Sequence, residues 1–337
     1  MRTTIRLLVK TFRFELIAIT FACLALAGAE LVLATQLDGV ALPAGCQFNQ
    51  TISFDQGFAT QLPGPTSDPS AVDPCQDKLA AFYAIDDHAA LVMGFGAALP
   101  VLAGILIGVA VIGREIEAGT ASLAWTLSRS RRRWFLTRAF LIGAILAGVL
   151  MAPALAANAL EHARRPLVDP WSSFNDSGIR GPVLVMLGLL TYAVALVTGA
   201  IVGRQLPAVI VTLALILAVI LGYEDGLRQW ELSLAEWRPA VTSSYDVDLV
   251  FDQGYCDRTS AAIVDQNSVM AAAPQVDGVP DGAWIDARYE AVALVVPGNR
   301  YGSIVAGEAV ALGSATLALL GPRPARRQPP APRLGPR

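Results

Sequence analysis

Charge is scarce in this chain. Of its 337 residues only 16% are Asp, Glu, Lys or Arg, against about a quarter in ordinary soluble domains. Lysine is nearly missing, with Lys10 and Lys78 alone, and His88 and His162 are the only histidines. So few histidines, and no Cys-x-x-Cys, exclude the usual zinc arrangements. There is no Gly-x-x-x-x-Gly-Lys-Ser/Thr and not even a Gly-Lys pair, so no loop can cradle phosphates in that way. Neither Gly-x-Ser-x-Gly nor His-Glu-x-x-His occurs. The acidic residues lack the regular spacing of a calcium loop. The chain is therefore not expected to be an enzyme, and no metal or cofactor is expected on it. Nucleic acid is not expected as a partner.

What the chain has instead is grease. Hydrophobic residues make up 54% of it, and mean hydropathy is +0.51. Six runs approach the ~20 apolar residues that cross a bilayer as a helix, and helices are the default because each span must satisfy its own backbone. The expected fold is an all-α polytopic membrane protein with spans at 15–35, 88–112, 139–157, 181–202, 206–222 and 300–321. Between them lie 36–87, 113–138, 158–180, the short turn 203–205 and the large segment 223–299. Neither long outer segment has a clear periodicity. The first span is longer than a signal-peptide core and five more follow, so it is expected to stay as a span.

The charges are sorted by segment. With the N-terminus inside, the inner segments hold 16 of the 25 Arg and Lys, while the outer ones hold 23 of the 28 Asp and Glu. Inner segments rich in basic residues fix orientation, so both termini are expected in the cytoplasm. Arg164 and Arg165 fall outside and run against the rule. Richness in Arg, Ala and Gly suggests a bacterial coding sequence, hence a bacterial plasma membrane. Residues 1–14 gather Arg2, Arg6, Lys10 and Arg13 on one helical face and Ile5, Leu8 and Phe12 on another, which suits an interfacial helix or simple flanking charge. The tail 322–337 is Pro/Arg-rich and expected to be disordered, with arginines placed to touch anionic lipid.

The densest charge lies in "REIEAGTASLAWTLSRSRRRW", Arg114–Trp134. Ile116, Thr120, Leu123 and Leu127 recur at helical spacing, with Trp125 opposite. A short helix with an apolar ridge, an indole and flanking charge suits a partner's groove. Arg129 and Arg131 to Arg133 suit the inner lipid surface.

"REIEAGT", a short helical stretch and "SRSRRRW" resemble the loop of ATP-binding cassette (ABC) permeases of the type-2 exporter class. Glu117, Gly119 and Thr120 match the first element of that loop, and Ser130 and Arg131 the second. Ser128 departs from the family, which often has proline there. "GAIVGRQLPAVIVTLAL", Gly199–Leu215, resembles the family's turn between its fourth and fifth spans. The resemblance implies a membrane subunit that hydrolyses nothing itself. Its coupling loop, through Glu117, Gly119, Thr120, Trp125, Ser130 and Arg131, would engage a separate cytoplasmic ATPase that holds ATP and Mg. A second permease copy or homologue would complete the exporter, whose cargo would be amphipathic or lipid-like. A cap-and-turn role at the membrane edge is the other reading of Glu117 and Gly119.

Carboxylates inside spans are costly and often functional. Glu30 and Glu308 form a possible intramembrane polar site; in a proton-coupled secondary carrier they would be the proton sites. A membrane scaffold or sensor with ligand-binding outer loops is a further alternative. Gly104/Gly108, Gly199/Gly203 and Ala309/Gly313 recur four apart and allow close helix approach, more for packing within the bundle than for a dimer face. Pro100 and Pro153 are positioned to kink their helices. Of four cysteines, Cys23 is within a span, and Cys46–Cys75 is the preferred disulfide, with pairings to Cys256 open.

Overall fold

The computed structural model describes residues 12–40, 74–120, 130–166, 168–240, 247–276 and 279–321. Six helices are long and apolar enough to cross a membrane. They are α1 (Arg13–Val40), α2 (Pro74–Glu117), α3 (Arg131–Arg164), α4 (Gly181–Val202), α5 (Gln205–Leu234) and, after an intervening sheet unit, α8 (Tyr301–Leu320). The chain is a mostly helical, multi-pass membrane protein. The six run alternately up and down, so α1 begins and α8 ends at the same face of the bundle, where Phe12 and Leu320 share one apolar cluster. We call that face the base and the opposite one the sheet end.

Several helices outrun their apolar segments. At ~1.5 Å per residue, the 44 residues of α2 span about 66 Å, twice the ~30 Å hydrocarbon core. It begins at Pro74 rather than near residue 88. The arginines 131–133, expected in a loop, open α3, whose N-terminus is capped by Ser130: its Oγ accepts from the Arg133 N–H at 3.1 Å. α5 runs on to Leu234 rather than stopping near 222. An apolar run marks only the part of a helix embedded in hydrocarbon; the backbone ladder continues as long as nothing breaks it.

α4 is the centre of the bundle. Almost one whole face of it is buried, including Leu184, Gly188, Tyr192, Leu196 and Gly199. α2 crosses it at backbone distance. A Cβ added to Gly104 would lie 2.8 Å from the Gly188 carbonyl and the Tyr192 nitrogen, and one added to Gly199 would lie 3.2 Å from the Val109 carbonyl. Gly108 meets Tyr192 and Ala195 in the same way. Pro100, within α2, stands against Gly188, and the Tyr192 hydroxyl donates to the Ala139 carbonyl of α3 at 3.0 Å. On the far side α5 and α8 share a cluster with α4, to which Ile216, Ile304, Leu312, Leu190 and Val194 all belong.

Strands between Glu236 and Val296 form an antiparallel sheet that the sequence did not reveal. Its order is β1 (Glu236–Pro239), β6 (Tyr289–Val296), β2 (Leu249–Asp257), β3 (Ile263–Asp265). Between β3 and β6 stand short helices α6 (Gln266–Ala272) and α7 (Gly282–Arg288) and the small ribbon β4 (Gln275–Val276) and β5 (Val279–Pro280). Asp265 and Asp281 cap α6 and α7 through backbone N–H groups. Hydrogen bonds from Ser268 hold the Asp265 carboxyl below the usual carboxylate range, and the Thr259 and Ser260 N–H groups do the same for Asp257. The sheet sits on the bundle. Gly298 N–H donates to Asp248 at 2.9 Å, and Arg300 donates to the Leu234 carbonyl at 2.8 Å.

The α2–α4 crossing gives a direct test. Gly104→Leu should destabilise the protein by at least about 1–3 kcal/mol through overpacking, read as a fall in melting temperature in detergent. Gly94→Ala, where nothing lies within 4 Å, should be neutral or stabilise by about 0.5–1 kcal/mol. Equal melting temperatures for Gly104→Leu and wild type would contradict this crossing.

Candidate functional site

At the base, the last turn of α2 ties four helices together. Arg114 Nη1 pairs with Glu15 Oε1 of α1 at 3.2 Å, with both side chains partly exposed. Glu115 pairs with Arg138 of α3, and the Arg138 guanidinium lies 4.3 Å from the centre of the Trp134 ring. Glu117 Oε2 accepts from the backbone N–H of Gln205 at 3.2 Å. Gln205 is the first residue of α5, whose own N-cap, Arg204, makes no side-chain cap. Glu117 therefore caps α5 from another helix, and its charge complements the positive end of that helix dipole, a contribution of about 0.3–1 kcal/mol. Ile116 packs beside the α4–α5 turn, where a Cβ on Gly203 would come within 3.1 Å of its Cγ2.

Gly119 then ends α2. Its φ is +70°, a left-handed conformation that glycine adopts without a Cβ penalty. Its N–H donates to the Ile116 carbonyl and the Thr120 N–H to the Glu115 carbonyl, both at 3.0 Å. That pair of bonds is the Schellman helix stop, and Thr120 Oγ1 adds a third bond to Glu115 O at 3.2 Å. One helical stripe from Ile116 through Thr120 is therefore broken: Ile116 belongs to α2, and Thr120 lies in the turn after it. Leu123, Trp125 and Leu127 lie outside the described residues. Of the site residues expected from sequence, Glu117, Gly119 and Thr120 are brought together at the end of α2, and Ser130 opens α3 as its cap. Arg131 is the first residue of α3.

The sheet end is held differently. Arg164 of α3 pairs with Asp86 of α2 at 2.6 Å and with Asp176 at 2.9 Å, and reaches Glu161 at 3.4 Å. Arg165 also pairs with Glu161, at 3.4 Å. Arg180 is fully buried, donates to the Pro170 carbonyl at 2.8 Å and to that of Ser173, and lies 5.3 Å from the centre of the Tyr301 ring. Asp86, Glu161, Asp176 and Arg180 were not singled out by sequence. Their spacing carries no motif, and only the fold assembles them.

Glu30 and Glu308 are 1% and 5% exposed. Glu30 faces α2, with Oε1 3.6 Å from where a Cβ of Gly96 would stand, and among the described residues its Oε2 has no partner. Glu308 faces α5, within electrostatic reach of Glu231. The two lie on different helix pairs. Cys23 is buried and free. Cys46 lies outside the described residues and Cys75 is in the first turn of α2, so their pairing falls there too. Cys256 stands in β2 opposite Glu290 of β6 and is free among the described residues.

Six apolar helices, with the start of α1 and the end of α8 at one face and four of them tied by a single turn, make this a multi-pass membrane protein of the permease kind. The chain belongs to the ABC-2 membrane transporter related family, which matches residues 17–228. That stretch runs from α1 into α5 and includes Glu117 to Arg131; the sheet and α8 lie beyond it. Membrane subunits of the family generally pair with ATPase subunits. No curated protein and no solved structure matches the chain.

Two substitutions check the geometry of these ends. Gly119→Ala should cost about 1–2 kcal/mol, since a Cβ is strained in the left-handed region, and Gly119→Asn less; equal stability of wild type, Ala and Asn variants would contradict the helix stop. Arg164→Ala leaves Glu161, Asp86 and Asp176 without their shared partner and should cost about 2–4 kcal/mol, less than a fully buried pair because Asp176 is partly exposed. Thermal unfolding in detergent reads both.

Proposed function

We propose that the chain is the transmembrane subunit of an ATP-driven exporter in a bacterial plasma membrane, with its base toward the cytoplasm. The observation that carries this reading is the last turn of α2. It is the point where the loop resembling a coupling element enters the bundle, and it is bonded to α1, α3 and α5 through Arg114, Glu115 and Glu117. Its Gly119–Thr120 stop fixes the direction in which the loop leaves. A force on residues 118–130 would therefore reach α2 and α3 directly, α5 through the Glu117 cap, and α1 through Glu15.

The ATPase that supplies the force is a separate subunit, which holds ATP and Mg. It docks on the stretch around Trp125, with Ser130 and Arg131 setting the start of α3. The Arg114–Glu15 pair that it would strain is partly exposed and contributes only about 0–1 kcal/mol, whereas Glu115–Arg138 is more buried and holds α2 to α3. The exposed pair orients its helices without resisting rearrangement. A second permease copy or homologue completes the transporter, and the cargo is amphipathic or lipid-like. Membrane lipid contacts the apolar faces that α1 and α5 leave exposed, for example Phe21, Leu24, Ile210 and Leu217.

A second reading rests on Glu30 and Glu308, both buried within helices of spanning length: a carrier driven by protons. A third, a scaffold or sensor, would bind through its outer segments without flux.

Purification from native membrane separates these readings. An ATPase with a phosphate-binding loop should stay with the wild-type chain and be lost with Trp125→Glu, while the melting temperature is unchanged. Retention of the ATPase by Trp125→Glu, or its absence from the wild type, argues against the coupling role. Transport that persists without the ATPase and stops when the proton gradient collapses would replace this reading with the second.

A further inference from the structure

We propose that Glu308, Glu231, Tyr223 and Trp230 form a binding site for a lipophilic organic cation between α5 and α8. As the cargo site of the transporter the proposal rests on the permease reading; as a binding site it does not.

Four observations carry it. Glu308 lies seven residues beyond Tyr301, about 10 Å along α8 at 1.5 Å per residue, and is 5% exposed. Among the described residues, no cation pairs with it and no group donates a hydrogen bond to it. An unpaired carboxylate is expensive at that depth, so a buried acid without a partner leaves a position for a positive group. Glu231 of α5 lies within electrostatic reach of Glu308, and Tyr223 of both. Tyr223 Oη is buried and has no hydrogen-bond partner among the described residues. The Trp230 ring covers the same spot, with its Cη2 only 2.9 Å from where a Cβ of Gly307 would stand. On α5, Tyr223, Trp230 and Glu231 are seven and eight residues apart, which places them on one helical face.

The nearby arginines are engaged elsewhere. Arg300 donates to the Leu234 carbonyl and pairs with Glu236, and Arg180 donates to Pro170 and Ser173. Arg228 is exposed and pairs with neither carboxylate among the described residues. No arginine among the described residues occupies the position beside the two carboxylates.

The chemistry selects the occupant. A metal ion would want several hard or imidazole donors, and among the described residues no group of three His, Cys, Asp or Glu is placed to hold one. Two carboxylates beside an indole and a phenol instead match a cation with an aromatic or aliphatic body, held by charge and by cation–π attraction. The packed cluster beside them is apolar: Ile216 and Ile220 of α5, Ile304, Val305 and Leu312 of α8. A site that buries an apolar body and fixes it by a few polar groups is the usual form of a small-molecule pocket.

The test uses the full-length protein in phosphatidylcholine nanodiscs, with radiolabelled tetraphenylphosphonium as probe and neither ATPase nor nucleotide present. Wild type should bind saturably. Glu308→Gln should weaken binding by about thirtyfold or more, as expected for loss of a desolvated charge partner. Glu231→Gln and Trp230→Ala should weaken it less, and Asp252→Asn in the sheet should leave it unchanged. No saturable binding by wild type, or equal binding by Glu308→Gln, overturns the proposal. So does a Glu308→Gln variant that binds equally and has lost a dimer the wild type forms, since the carboxylate would then serve a second copy. If Glu308→Gln does not yield monodisperse protein, Glu231→Gln and Trp230→Ala decide, and unchanged affinity in both overturns the site. Absence of an ATPase partner would end the exporter reading and leave this result standing.

Discussion

The close crossing of α2 on α4 is the contact from which the rest of the bundle is built. In lipid, apolar burial does little to draw helices together, because the solvent is as apolar as the side chains. Association then depends on close packing and on the hydrogen bonds it allows. Gly104 and Gly108 bring the α2 backbone against Gly188, Tyr192 and Ala195 of α4, where side chains of any size would hold the helices apart. The same face of α4 receives Leu150 of α3 beside Gly188, and the Tyr192 hydroxyl satisfies the Ala139 carbonyl. α4 thus receives α2 and α3 on one side and α5 and α8 on the other. A displacement of α2 reaches α8 through α4, and reaches α1, α3 and α5 directly as well, through Arg114, Glu115 and Glu117.

The two ends of the bundle are fastened with unequal strength, and this difference gives the proposed transport cycle its physical sense. The base is tied by single pairs, of which Arg114–Glu15 is largely solvated, and by one carboxylate on a helix N-terminus. The sheet end is tied by a network around the buried Glu161 and Arg180, with Arg164 shared by three carboxylates. It is covered by a sheet whose strands β2 and β6 pair along nearly their whole length. Buried networks resist partial breakage, because each member left behind is an uncompensated charge. Helices fixed at one end and loosely tied at the other can tilt, and the proposed cation site lies toward the fixed end, where α5 and α8 enter the sheet.

The sequence is most legible where one physical rule acts alone. Spanning length and apolarity are such a rule, and all six spans are where the apolar runs lie. Glu117, Gly119 and Thr120 were visible as a motif, and Gly119 as a turn. The step from Ile116 to Thr120 is not one continuous helix, because periodicity says nothing about where a left-handed glycine interrupts it; Leu123 and Leu127 lie outside the described residues. The sheet stayed hidden for a different reason. β6 is central, with Val292, Ala293, Val295 and Val296 buried in near succession, so its residues do not alternate as a half-exposed strand would. β2 is interrupted by an irregularity between Val250 and Asp252, which shifts the phase of whatever alternation remains. Tyr223, Trp230 and Glu231 escaped notice because the apolar run of α5 ends near residue 222, whereas the helix carries them twelve residues further.

The one feature that opposes the proposed orientation dissolves in the fold. Arg164 and Arg165 stand at the sheet end, which this orientation places outside, where free basic residues are disfavoured. That rule concerns positive charge available to the membrane surface and its potential. Arg164 is bound by Asp86, Asp176 and Glu161, and Arg165 by Glu161. With Arg180 included, three arginines meet three carboxylates. The pair adds almost nothing to the charge the bilayer senses at that end, whereas Arg204 and the exposed Arg133 at the base add theirs in full. Arg114 and Arg138 are likewise paired, with Glu15 and Glu115, at the base, so with these pairs set aside Arg164 and Arg165 no longer count against a cytoplasmic base.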